Sequence, residues 1–203
     1  RRQRQMCIRD SIYTMKTKLP KTLQKGPFTY QQALASGLNL RMVRQLVADG
    51  HCYNVTKGVY MPASVEYNEE NQFKTATLVV GQPSAICLVS ALSVYGLTDT
   101  IPRKTWITVP ATKRTQVSSL KVLRQSDPQW NIGIEKKNGY AITSVERTLV
   151  ESFCYKNMIG STLPIEALRE AVRKKMTTTS KVLDMAKKLG VVHRILPYLE
   201  AMA

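Results

Sequence analysis

The residues of this chain best suited to recognition chemistry are Asn39, Arg41, Arg44 and Gln45. Arg and Gln side chains read guanine and adenine edges bidentately in the major groove of DNA. Their spacing suits that use. Leu40, Val43, Leu46 and Val47 recur at i, i+3, i+6 and i+7, which predicts a helix over 40–48 with one apolar face. That face leaves Arg41, Arg44, Gln45 and Ala48 on the other side. Asn39 is an N-cap candidate, placed to reach a phosphate or a base with the helix dipole behind it. Thr29 stands at the start of a preceding short helix, 30–35, and is similarly placed for a phosphate contact. Lys57 falls at the tip of a predicted hairpin, where it would meet the backbone or the minor groove. Lys16, Lys18, Lys21 and Lys25 add candidate phosphate contacts. The same pattern also fits a module that docks another protein.

Other chemistry has thinner support. Asp127 followed by Glu135-Lys136-Lys137 has the residue types of a metal-dependent nuclease, in which carboxylates hold Mg²⁺ and a Lys activates water. The pattern is short, and it abuts a hairpin turn where charges are ordinary. His51 opens a strand, and His193 lies in a helix without a nearby ligand set, so both read as structural rather than as metal ligands. Cys7, Cys52, Cys87 and Cys154 form no C-x-x-C pair. Cys87 and Cys154 sit in apolar surroundings and read as small buried hydrophobes, a usage that fits a reducing cytoplasm. No phosphate-binding glycine loop, dinucleotide fingerprint or nucleophile elbow occurs, and no cofactor or enzyme activity is expected. Arg147 is read as facing away from its helix stripe, either pairing with Asp99, Glu146 or Glu151, the favoured reading, or serving as a binding residue.

The elements that must position these residues follow from period and punctuation. Residues 11–25 are roughly helical in apolar spacing, with Pro20 ending the helix near Leu19. Gly26-Pro27 is a break, and Gly37 suits a left-handed C′ position between helices 30–35 and 40–48. Strands at 51–53 and 58–61, joined by 54–57, complete the order helix, helix, tight turn, helix, hairpin. That is the layout of a winged helix-turn-helix. The acidic stretch 63–71 reads as a linker. Helices are predicted at 72–80 and 85–95, the second capped by Ser84. Strands are predicted at 105–109, 120–123, 130–135 and 140–143, with Asn138-Gly139 as a hairpin turn. Thr143-Ser-Val-Glu146 reads as a capping box opening a helix with Val145, Leu149, Val150 and Phe153 inward. Helices at about 164–174, 180–189 and 192–201 finish the chain, with Pro164 at the first helical position and Gly190 as a C′ cap. The fold class is α+β: an N-terminal winged helix-turn-helix followed by a mixed α/β domain ending in helices.

Charge supports a polyanionic partner. The 203 residues carry 30 Lys and Arg against 14 Asp and Glu, a net charge of +16. Such a balance attracts phosphate through counterion release. Residues 1–10, RRQRQMCIRD, read as a non-native leader, and the chain without them still carries +13. The bias is concentrated: residues 11–62 hold seven Lys and Arg and one acid. At 43% hydrophobic and 22% charged the composition is that of a globular chain. No apolar run approaches the ~18–20 residues a helical span needs, so a transmembrane protein is not expected.

Three stretches resemble the AbiEi family of bacterial type IV antitoxins. They are FTYQQALASGLNLRMVRQLVADGHCYNVTKGVYMP (28–62), SAICLVSALSVYGLTDTIPRKTWITVP (84–110) and ITSVERTLVESF (142–153). The Gly58-Val59-Tyr60 ending, the Ser90-Ala91-Leu92 to Ile101-Pro102 stretch and the Glu146-Arg147-Thr148-Leu149 helix carry it. The resemblance implies a two-part protein, which the domains read at 11–62 and 73–203, joined by 63–72, would form. The first would bind double-stranded operator DNA and repress its own operon. The second would mediate antitoxicity against a nucleotidyltransferase-like toxin, without need of a stable complex, and could support self-association on DNA. Thr29, Asn39, Arg41, Arg44, Gln45 and Lys57 are the expected DNA-binding residues. The recognition helix has only two cations, so the wing and the Lys-rich first segment would carry part of the affinity.

Overall fold

A computed structural model describes residues 18–126 and 129–201. The fold is α+β and contains two sheets. Pro20 heads a 3-10 turn at Lys21–Leu23. The helix expected to end near Leu19 lies almost wholly outside the described residues, and between Lys18 and Pro27 this turn is the only helical element. Pro20 has no N–H to give to a continuing helix.

The next elements arise from local signals. A strand β1 (Phe28–Thr29) leads directly into helix α1 (Tyr30–Ala35), and helix α2 (Leu40–Ala48) follows a short turn. Both helices have the bounds that period and caps predict. Gly37 takes φ +85°, the left-handed conformation the turn requires. Strands β2 (Cys52–Thr56) and β3 (Val59–Pro62) form an antiparallel hairpin. The expected four-residue connector is mostly strand, because Gly58 at φ +79° closes the turn with Lys57 alone. β1 pairs with β3, Phe28 opposite Tyr60, giving the order β1-β3-β2. Two residues are too few to show a period, which is why β1 escapes the sequence. Leu23, Phe28, Ala33, Leu38, Val43, Leu46 and Cys52 form the core beneath this unit.

Helix α3 (Glu69–Val80) begins inside the stretch expected to be linker. Asn68 accepts from the Asn71 N–H, and Glu69 and Glu70 favour the positive end of the dipole. Asn71 is buried and donates to the Glu66 carbonyl at 2.8 Å. α3 packs on β1 and β3 and also on strands of the second sheet, so it joins the two.

The second sheet has the order β6-β5-β4-β8-β7. Its strands are β4 (Ala85–Ile86), β5 (Thr105–Pro110), β6 (Leu120–Gln125), β7 (Ile134–Lys137) and β8 (Tyr140–Thr143). β4 pairs parallel with β8, and β5 parallel with β6. Residues 85–86 were expected in a helix capped by Ser84. They are the central strand instead, and helix α4 (Leu88–Val94) starts at Leu88 after Cys87. Backbone partners on both sides outweigh local helix propensity there. The expected strand 130–135 is divided into a 3-10 turn, Gln129–Asn131, and β7. Asn138 and Gly139, at φ +50° and +90°, make the predicted hairpin turn.

Helices α5 (Val145–Cys154), α6 (Lys156–Ile159), α7 (Thr162–Arg173), α8 (Thr179–Lys188) and α9 (Val192–Glu200) follow, with α6, α7, α8 and α9 packed on α5. α6 is an addition to the expected set, and α7 starts two residues before Pro164. The cap of α5 shifts by one residue: Ser144 accepts from the Arg147 N–H, while Thr143 stays in β8 with its hydroxyl 2.7 Å from that of Thr148. Glu146 accepts from the Thr177 hydroxyl rather than closing a box. Among the described residues no helix is long and apolar enough to cross a membrane.

Arg147 is the largest correction. It was read as facing outward, yet it is completely buried. Its Nε donates to Glu151 Oε1 at 2.8 Å, and Nη1 donates to the carbonyls of Trp130, at 2.7 Å, and of Ile132. Of the three acids considered, Glu151 is the partner. Gln125 Nε2 also reaches Glu151 Oε1, at 3.1 Å, tying α5 to β6. Burial pushes the Glu151 carboxyl above its ordinary range, and Arg147 pulls it only part of the way back.

Two outcomes follow. Arg147→Ala leaves a buried acid without its cation and should cost about 3–5 kcal/mol in urea unfolding; a loss under 1 kcal/mol would contradict the clasp. The folded chain also holds the Glu151 proton to higher pH than the unfolded chain does, so unfolding releases it. Stability therefore declines as pH rises from the ordinary Glu range through the raised one. Glu151→Gln should remove that component of the slope in a pH series of melts.

Candidate nucleic-acid interface

α2 is positioned by what it buries. Val43 and Leu46 are sealed in the core, with Met42 and Val47 packed at its margin. Fully burying two such side chains stabilises by about 1.5–3 kcal/mol each. Leu40, expected inward, is 43% exposed. At 3.6 residues per turn it stands roughly 90° from the middle of Val43 and Leu46, at the boundary of the face, and Met42 fills the opposite margin. The exposed stripe is therefore Leu40, Arg41, Arg44, Gln45 and Ala48.

The caps set the ends. Asn39 Oδ1 accepts from the Met42 N–H at 2.9 Å, so its oxygen is engaged and its amide N–H groups remain. Thr29 makes a full capping box with Gln32: its hydroxyl accepts from the Gln32 N–H at 3.2 Å, and its own N–H donates to Gln32 Oε1 at 2.8 Å. Gln32 was not singled out in the sequence, although Thr-x-x-Gln is a capping-box signature.

The hairpin is fixed to the same helices. The Tyr30 N–H donates to the Gly58 carbonyl at 3.1 Å, and Thr29 lies opposite Val59 in the sheet. Phe28 stacks on Tyr60 with ring centroids 5.8 Å apart. Lys57 is thereby held near Thr29 at the start of α1. Two groupings result: Asn39, Arg41, Arg44 and Gln45 on α2, and Thr29 with Lys57 at the junction of α1 and the hairpin tip.

Arg41, Arg44 and Lys57 are exposed, and none has a carboxylate within ion-pair distance among the described residues. Lys18, Lys21 and Lys25 are exposed as well, while Lys16 lies outside the described residues. Gln45 is engaged: its Nε2 donates to Asp49 Oδ1 at 2.8 Å. Asp49 was missed as a site residue, although it is the lone acid of a basic segment.

Of the Asp127, Glu135 and Lys137 constellation, two residues are described. Asp127 lies outside the described residues. Glu135 is exposed, and Lys137 sits over the Tyr95 ring, 4.9 Å from its centroid. Among the described residues no group of three His, Cys, Asp or Glu side chains could hold a metal ion. Cys52 and Cys87 are buried with thiols pushed up by burial, and Cys154, half-buried, is pushed the same way.

The caps make a direct prediction. Asn39→Ala should lower stability by about 1 kcal/mol, while Asn39→Ser restores most of it; equal melts for wild type and Asn39→Ala would show that the cap contributes nothing.

A scan of protein-family models finds no match to this chain, and a search of curated proteins finds none either.

Proposed function

We propose that this protein binds double-stranded DNA sequence-specifically through an N-terminal winged helix-turn-helix. In this reading α2 enters the major groove, and the β2–β3 hairpin is the wing that meets the backbone with Lys57. The observation that carries it is the division of α2: Val43 and Leu46 are sealed below, while Arg41, Arg44 and Gln45 stand exposed above, with neither guanidinium in an ion pair among the described residues. Arg41 and Arg44 read guanine edges, Gln45 an adenine, and Asn39 and Thr29 hold phosphates at the helix starts. The concentration of positive charge in this third of the chain supplies affinity that falls with salt.

The biological role follows the family resemblance of the sequence. The protein represses its own operon and acts as the antitoxin of a type IV system, opposing a nucleotidyltransferase-like toxin without a stable complex. Two copies on a pseudo-palindromic operator place their α2 helices about one helical turn, ~34–36 Å, or a multiple apart.

The test is a salt-titrated binding assay against the gene's own upstream region and a scrambled duplex. The expected preference is ~10³-fold or more for the upstream DNA. Arg41→Ala and Arg44→Ala should each cost about 1–3 kcal/mol and relax specificity at one position. Lys57→Ala should weaken every duplex about equally and lower the salt slope by about 1. Negligible effects from all three substitutions would remove α2 and the hairpin from the interface.

A further inference from the structure

Asp49 is the one acid between residues 11 and 62, a stretch with seven Lys and Arg. It occupies the C-cap of α2, where the helix dipole disfavours a carboxylate. A polyanion bound along α2 would be repelled by it as well. Its hydrogen bond to Gln45 one turn earlier stabilises the helix modestly, set against the dipole and the phosphate repulsion. It forms no ion pair among the described residues. What it does hold is Gln45, whose Nε2 donates to Asp49 Oδ1 at 2.8 Å, with both side chains exposed.

That bond selects one face of an amide. A carboxylate only accepts, so the reversed amide would set Gln45 Oε1 against Asp49 Oδ1. Nε2 carries two N–H groups, and Asp49 takes one of them. With the N–H remote from Oε1 given to Asp49, the other lies beside Oε1, a donor next to an acceptor. That pair matches adenine, which presents its N6–H donor and N7 acceptor side by side in the major groove.

We propose that Asp49 is a positioning residue that holds the Gln45 amide in the orientation that reads adenine. The proposal rests on the DNA-binding reading of α2 given above. Fixing the amide before contact removes an ordering cost at binding. Against this stands a repulsion between the carboxylate and the phosphate backbone that is the same for every sequence. Asp49 therefore raises discrimination while lowering general affinity.

The experiment selects duplexes from a randomised pool with the full chain and with Gln45→Ala, Asp49→Ala and Asp49→Asn. Asn retains the Oδ1 acceptor and loses the charge. Wild type and Asp49→Asn should both recover a common adenine, and Gln45→Ala should lose it. Asp49→Ala should relax that preference about tenfold while binding unselected duplex at least as tightly as wild type. Replacing the recovered adenine by 7-deazaadenine, which lacks the N7 acceptor, should weaken wild type about tenfold and Asp49→Ala little. Asp49→Ala recovering the same adenine at full strength, with or without a lower melting temperature, would reduce the pair to a helix brace and overturn the proposal. Enrichment of a sequence that depends on neither Gln45 nor Asp49 would overturn this role alone. A wild type that enriches no sequence would overturn the DNA-reading assignment and this role with it.

Discussion

A guanidinium that has left water must find its hydrogen bonds inside the protein, and Arg147 is that group here. It satisfies the requirement by gathering two pieces of chain: its own helix through Glu151, and the segment before β7 through the carbonyls of Trp130 and Ile132. Gln125 brings the end of β6 to the same carboxylate. α5 is thereby fixed against the sheet, and α4, α7, α8 and α9 all pack on α5. The helical layer depends on a charge that would be costly to leave unpaired.

From that anchored unit the arrangement passes to the N-terminal one through α3. One side of α3 meets β4, β5 and β8, and another meets β1 and β3. Within the N-terminal unit the same logic operates at smaller scale. Val43 and Leu46 set the rotation of α2, Asn39 sets its start, and the Tyr30–Gly58 hydrogen bond sets the hairpin against α1. The exposed cations stand where they do because the apolar residues leave them no inward position. Arg41 and Arg44 form no ion pair among the described residues, while Gln45 is held by the Asp49 carboxylate.

Much of the candidate interface is legible in the sequence, because its signals are local. The bounds of α1 and α2, the Thr29 and Asn39 caps, the left-handed Gly37 and the outward placement of Arg41, Arg44 and Gln45 follow from spacing within a few residues. The same holds for the Asn138-Gly139 turn. Tertiary structure decided the rest. Ala85-Ile86 is a strand because β5 and β8 flank it, Ser144 rather than Thr143 caps α5 because Thr143 belongs to β8, and Leu40 is exposed because it stands at the boundary of the face that Val43 and Leu46 bury. Arg147 is buried because carbonyls 15 and 17 residues away meet its guanidinium. A helical period records which residues share a face, whereas the partners that make a charge cheaper to bury than to expose come from distant chain, and only folding brings them together.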